Sequence, residues 1–381
     1  MKVGFVWWCF LLVGSGVVRA APAAFEQGGK PAKSEVIVKE AGVRIIPSPN
    51  SPCRVGETLV WTAAMQSAFD RVAGAKGPMK LQRVVPDNPC IQSMRKFAWD
   101  EETVLPQNGW FAVAGPATPE LAAEATRKWR ALAGQNEKPF KCGTPAGESG
   151  YAAFAGLKRE FVFSKEFYPS KQSLLDWGEA KIPIKFFGVA GENAEEFRPH
   201  VRVLAYHPDE RIQALECGAK EGDDQLVLYM PSGPQAMQEA IQWVAAWRKG
   251  WGNAPTAGDQ WNDKWLHAMD DLRVPEISLE REDENLTGWF NGDLLFEGQV
   301  GPWRITDAKS SAKLEVDAKG VKIKAKASIE ERPLGGSPPP PPKPQPRRFW
   351  FDRPFFLFLW RENAEWPYAA VWFGNADGLV K

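Results

Sequence analysis

The fold is decided by the last quarter of the chain, Lys313 to Gly374. Leu314-Glu315-Val316-Asp317 leads to Gly320, after which Val321-Lys322-Ile323-Lys324-Ala325-Lys326-Ala327 alternates apolar and basic residues. A loop over 320–348 follows, proline-rich over 338–346, with an unbroken run from Pro338 to Pro342. Phe349-Trp350-Phe351-Asp352-Arg353-Pro354-Phe355-Phe356-Leu357-Phe358-Leu359-Trp360-Arg361 is then an aromatic block, and Val371-Trp372-Phe373-Gly374 closes it. Alternation at period two and continuous apolar runs of this length read as strand, loop, buried strand, turn, buried strand. The upstream chain has to supply the body in which the two apolar strands bury.

Its first residues read as an export signal. Lys2 is a short positive region, Val3 to Val18 an apolar one, and Val18-Arg19-Ala20 a small-residue cleavage site that predicts processing after Ala20. The apolar run is short for a membrane anchor and Arg19 ends it. Residues 21–40, with Gly28-Gly29-Lys30-Pro31, read as a flexible leader, and 41–381 as one large domain. The expected compartment is secreted or periplasmic.

The chain carries 47 Lys+Arg and 47 Asp+Glu. Loss of Lys2 and Arg19 leaves a charge of −2, with no global attraction to nucleic acid. Residues 309–348 depart from this balance, with ten basic residues against four acids, a local charge of +6. A solvated loop and a guarded strand edge account for it, and a polyanion is the alternative partner. Cys53, Cys90, Cys142 and Cys217 remain after Cys9 leaves; an even count in an exported chain permits two disulfides in three connectivities.

Helical spacing of Trp61, Met65, Phe69 and Val72 predicts a helix over Thr58–Val72. Thr118-Pro119-Glu120 starts another, ending at Gly134 and burying Leu121, Ala125, Trp129 and Leu132. Pro234–Lys249 and Asp259–Asp271 are predicted helices. Strands are predicted at Val43–Ile46, Phe161–Phe167, Ile182–Val189, Val201–Leu204, Leu226–Met230 and Val274–Leu279. The fold class is therefore α+β, with helices packed on mixed, largely antiparallel sheets.

In this order the elements resemble those of a divergent serpin. The Asp352–Phe358 run is similar to that family's Asp-His-Pro-Phe segment, with Arg361-Glu362-Asn363 as the turn and Val371–Gly374 as the closing strand. Leu226–Pro231 resembles its hydrophobic strand ending in proline. Val274–Glu280 is similar to its Pro-x-Phe-x-x-Glu strand, and Phe163–Phe167 to its Phe-Lys-Gly-Lys-Trp segment, with Phe167 in the tryptophan place. Leu59-Val60-Trp61-Thr62 stands where the family has Ser-Pro-x-Ser.

The resemblance implies a single serpin-like domain with an exposed reactive-type loop. In such a protein a protease cleaves the loop, which then adds to the main sheet as a strand and traps the enzyme. It assigns the hinge to Gly320, inward positions to Val321, Ile323, Ala325 and Ala327, and the bait bond to Leu334-Gly335. Ala318 replaces the family's hinge glutamate, and Ile323 and the lysines replace small residues. The favoured reading is a non-inhibitory member acting by binding. A suicide-type inhibitor of a serine or cysteine protease, and a polyanion- or carbohydrate-binding surface protein, are the alternatives.

Nothing in the sequence marks an enzyme, cofactor or metal site. His200, His207 and His267 lie in no zinc-binding pair, and His267 falls off the apolar stripe of its predicted helix, as a surface histidine would. Asp270-Asp271 reads as a solvated turn. Trp243, Trp247 and Trp251, then Trp261 and Trp265, recur every four residues; a core stripe is favoured over a sugar-stacking row. A monomer is expected.

Overall fold

The computed structural model describes residues 3–14, 42–72, 80–85, 88–142, 150–170, 173–250, 264–290, 293–297, 304–319 and 346–381. Its first elements are β1 (Val3–Gly14), β2 (Val43–Ile45), β3 (Thr58–Thr62), α1 (Ala63–Val72), β4 (Lys80–Val85), α2 (Pro89–Lys96), α3 (Glu101–Val104), β5 (Trp110–Pro116) and α4 (Pro119–Ala133). Then come β6 (Gly150–Phe161), β7 (Tyr168–Pro169), β8 (Leu175–Trp177), β9 (Ile182–Ile184), β10 (Phe186–Ala190), β11 (Val201–His207), β12 (Ile212–Gly218), β13 (Asp224–Met230) and α5 (Met237–Gly250). The last are β14 (Asp271–Pro275), β15 (Ile277–Asn285), β16 (Asp293–Glu297), β17 (Arg304–Val316), β18 (Arg348–Trp350), β19 (Phe355–Arg361) and β20 (Ala369–Phe373).

A seven-stranded sheet, in the order β11-β12-β13-β19-β20-β3-β2, holds the aromatic block. β19 pairs antiparallel with β13 and with β20, Phe356 opposite Tyr229 and Trp372. Every residue of β3, β13 and β20 is buried, as are Phe355 to Trp360 of β19. Strands covered on both faces need no polar alternation, and this is why the sequence reads there as unbroken apolar runs. Phe355 stacks on Phe373 with ring centroids 5.0 Å apart, and Phe356 lies 4.5 Å from Trp372.

A five-stranded sheet, β15-β17-β1-β6-β5, is antiparallel throughout. Its strand β6 divides its side chains by parity. Ala152 and Phe154 pack with Phe111, Trp129 and Phe140 under α4, whereas Ala153, Ala155 and Leu157 join the main core. α4 begins where Thr118 Oγ1 accepts the Leu121 amide at 3.3 Å, with Pro119 in its first turn. It stops at Gly134, whose φ of 130° is open to glycine and whose amide donates to Arg130 O at 3.0 Å.

A four-stranded sheet, β18-β14-β10-β7, and the pairs β16-β4 and β8-β9 complete the strands. The chain changes sheets at Glu276, between β14 and β15. Buried charge ties the two large sheets together. Asp224 of β13 accepts the Tyr368 hydroxyl at 3.0 Å and Arg159 Nε of β6 at 2.7 Å. Burial, then the neighbouring Asp224 carboxylate, hold the Tyr368 phenol well above its ordinary range.

Several elements differ from expectation. Thr58–Val72 is a helix only from Ala63; Thr58–Thr62 is a strand between β20 and β2. Apolar residues four apart fit a helix, but a strand buried on both faces shows the same residues. Phe161–Phe167 is the end of β6 followed by a turn, with Phe163 bridged to Ala219. Ile182–Val189 breaks at Lys185 into β9 and β10. Of the predicted helix Asp259–Asp271, residues 264–270 are not helical and Asp271 opens β14; residues 259–263 lie outside the described residues. The flexible leader, 21–40, also lies outside them. The even cysteine count permits two disulfides, and the structure has the four sulfurs unpaired. Cys53, Cys90, Cys142 and Cys217 are free thiols in four separate parts of the chain. Burial pushes Cys53 and Cys90 up to about 12 and raises Cys217 as well, which keeps these sulfurs protonated and unreactive.

No helix among the described residues is long and apolar enough to cross a membrane. A methyl group at Gly188 in β10 would lie 1.7 Å from the Leu272 carbonyl oxygen of β14, whereas one at Gly233 would meet nothing within 4 Å. Gly188→Ala should lower stability by more than about 3 kcal/mol, and Gly233→Ala should change it by under about 0.5 kcal/mol, in urea unfolding.

Candidate functional site at the base of the loop

Gly320, Val321, Ile323, Ala325, Ala327, Leu334 and Gly335 lie outside the described residues. The structure instead defines where that loop leaves the body, where it returns, and what stands in the sheet beside it.

Departure follows directly from β17. Asp317 Oδ1 accepts the Lys319 amide at 3.0 Å, closing a local turn. Ala318 is 2% exposed and its carbonyl accepts the Phe167 amide at 2.8 Å. Phe167 is itself packed among Phe163, Phe187 and Phe197, with centroids 5.1, 5.6 and 4.9 Å away. Lys165 Nζ lies 5.2 Å from the Phe197 ring centroid. Phe167, which the sequence resemblance placed in the tryptophan position, therefore anchors the last turn before the loop.

The return is held by charge. Arg347 and Asp270 are both fully buried. Arg347 Nη2 donates to Asp270 Oδ2 at 2.7 Å and its Nε to Oδ1 at 3.2 Å, while its backbone amide also reaches Oδ1, at 3.1 Å. The same guanidinium donates to Trp265 O at 2.6 Å. The His267 amide donates to Asp270 Oδ2 at 3.0 Å. Asp270 thus collects donors from two directions, and Arg348 begins β18, parallel to β14. His267 corrects the expectation of a surface histidine: it is 5% exposed, with Nδ1 3.3 Å from Asp270 Oδ1. Asp270 likewise is no solvated turn residue, and Asp271 is paired with Arg273 at 2.9 Å.

Between departure and return lies the sheet. β1 pairs antiparallel with β17 on one side, Phe5 opposite Leu314, and with β6 on the other, Gly14 opposite Gly150. β6 and β17 consequently run parallel to each other, with β1 reversed between them. A chain leaving the end of β17 and doubling back beside it would run in the direction of β1. It would need the ladder positions that β1 occupies, because the far edges of β17 and β6 are taken by β15 and β5. The stretch that reads as the apolar part of an export signal is here the central strand, and its lack of charge suits both.

The basic segment around the loop is mostly neutralised where it is described. Lys309 Nζ lies 2.9 Å from Asp307, Lys313 3.1 Å from Glu280, and Lys319 3.8 Å from Glu166. Of the tryptophan row, Trp243 is 56% exposed and stands 5.9 Å from half-buried Trp247. Trp265 is half-buried, and Trp251 and Trp261 lie outside the described residues. No cluster of metal-ligating side chains occurs among the described residues.

No family model matches the chain, and no curated protein matches it. Among solved structures it is similar to the serpin from Schistosoma mansoni, at 13% identity over 67% of this chain and 64% of that one, with a TM-score of 0.38. It is also similar to the thermophilic serpin tengpin in its native state, at 9% identity over 74% and 76% of the two chains, TM-score 0.42. Human thyroxine-binding globulin is a third, at 11% identity over 72% and 78%, TM-score 0.39. The chain spans less than two thirds of the length of the S. mansoni serpin.

Removing one partner of a buried ion pair strands the other. Arg347→Ala should cost about 3–5 kcal/mol in urea unfolding. Arg347→Met with Asp270→Asn should recover part of that loss, because no buried charge is left alone.

Proposed function

We propose that this chain is an exported serpin-like protein that acts by binding and does not trap proteases. The observation that carries the reading is the base of the loop, which processing leaves intact: Ala318, in the hinge glutamate's place, is 2% exposed and its carbonyl accepts the Phe167 amide at 2.8 Å. In the unprocessed chain β1 also stands between β6 and β17, where a cleaved loop would have to add as a strand. Trapping depends on that place being free. The loop's own composition adds support: Ala318 replaces the hinge glutamate, and Ile323 and three lysines replace the small residues that enter a sheet readily. Export rests on the sequence signature of Lys2, Val3–Val18 and Val18-Arg19-Ala20.

A suicide-type inhibitor with Leu334-Gly335 as bait is the second reading, and one observation favours it. Loss of residues 1–20 would remove β1 and leave β6 and β17 with facing unpaired edges, so processing after Ala20 would open the place. A polyanion partner at the basic segment is disfavoured by the acid partners of Lys309, Lys313 and Lys319.

Both the whole chain and a form beginning at Ala21 should be incubated with a panel of serine and cysteine proteases. The expected result is cleavage between Ser328 and Gly336, no complex stable on a denaturing gel, and no rise in melting temperature. A covalent complex with either form, or a large rise in melting temperature after cleavage, would establish the inhibitor instead.

A further inference from the structure

α4 does more than cover β5 and β6. Between its outer face and the segment Pro139–Cys142 lies a cavity of 810 Å³, within the range of small-molecule sites. Its floor is made by Ala122, Thr126 and Phe140, all buried. The Thr126 hydroxyl donates to Ala122 O at 2.7 Å and accepts the Phe140 amide at 2.9 Å. The floor therefore offers a ligand an apolar surface, its hydroxyl being already engaged.

Arg127, Arg130 and Lys141 line the same cavity, and among the described residues no carboxylate lines it. Three described acids of this region have partners of their own, Glu120 through hydrogen bonds to its own backbone and to Thr118 at the start of α4. Glu124 pairs with Lys128 at 3.2 Å. Glu137 accepts Trp129 Nε1 on Oε2 at 3.2 Å, and its carbonyl accepts Arg130 Nε at 3.1 Å. Arg127 and Lys141 form no ion pair among the described residues. Three cations beside an apolar floor, without a carboxylate partner among the described residues, are the complement of a molecule with an apolar body and one anionic end.

We propose that this groove binds a small amphipathic carboxylate. Its apolar body lies on Ala122, Thr126 and Phe140, and its carboxylate sits among Arg127, Arg130 and Lys141. The site is on the α4 side of the sheet, away from the base of the loop. Cys142 lines it and is half-buried, its sulfur 3.2 Å from Thr118 O, so its accessibility reports occupancy.

The test is calorimetric titration of the whole chain with decanoate and with decylammonium, which share the tail and differ in the sign of the head. Decanoate should bind saturably, and decylammonium at least about tenfold more weakly. Decanoate should also slow alkylation of Cys142 by iodoacetamide, read on the peptide that contains it. Arg127→Ala with Lys141→Ala should weaken decanoate by about tenfold or more. Ala123→Trp, at an exposed position of the lining, should remove binding while leaving the melting temperature unchanged. Absence of saturable decanoate binding, equal binding of the two heads, or binding indifferent to both sets of substitutions would overturn the proposal.

Discussion

A strand inside a sheet must have both edges paired. Each residue of β6 and β17 carries an amide and a carbonyl that cost free energy when buried without partners. β1 meets that requirement for both strands at once, along twelve residues on the β6 side. The rest of the five-stranded sheet is arranged around it: β15 and β5 on the outer edges, α1 and α4 on opposite faces. The reversal of β1 between two parallel strands also sets what any other segment would have to do to replace it.

The loop is bounded by two different kinds of hold. At its start, Ala318 is fixed by one backbone bond to Phe167 and by the aromatic packing behind that residue. At its end, Arg347 is fixed by a fully buried ion pair to Asp270. Aromatic packing is graded and tolerates small shifts; a buried charge pair does not, because separation exposes two charges to a medium that solvates neither. The return point is thus the rigid one. A cut within 320–345 would leave both stumps attached to the body.

The aromatic strands were legible in the sequence because continuous apolar runs allow few alternatives, and β19 and β20 lie where Phe355–Arg361 and Val371–Phe373 place them. α4 was legible from its cap and its stripe, with Trp129 on the buried face, and α5 lies close to the predicted Pro234–Lys249. β3 was not, since Trp61 at helical spacing from Met65 is equally a residue of a doubly buried strand. Asp270 and Arg347 read as solvated charges because nothing local marks an acid whose partner is 77 residues away. His267 was misplaced for the same reason: its helical stripe belonged to a helix that residues 264–270 do not form. The central position of Val3–Gly14 was hidden by composition, because an export signal and a twice-paired strand both require an uncharged apolar run. Of the candidate loop only the base lies among the described residues, and there Phe167 contacts the turn that precedes the loop.

The central claim is that Val3–Gly14 holds the place between β6 and β17. Amide hydrogen exchange over Gly150–Phe161 and Arg304–Val316 tests it, comparing the whole chain with a form that begins at Ala21. The account predicts slow exchange in both segments of the whole chain. In the shortened form it predicts either faster exchange on the facing edges or new protection within 320–328. Unchanged slow exchange in both segments, with 320–328 unprotected, would contradict it.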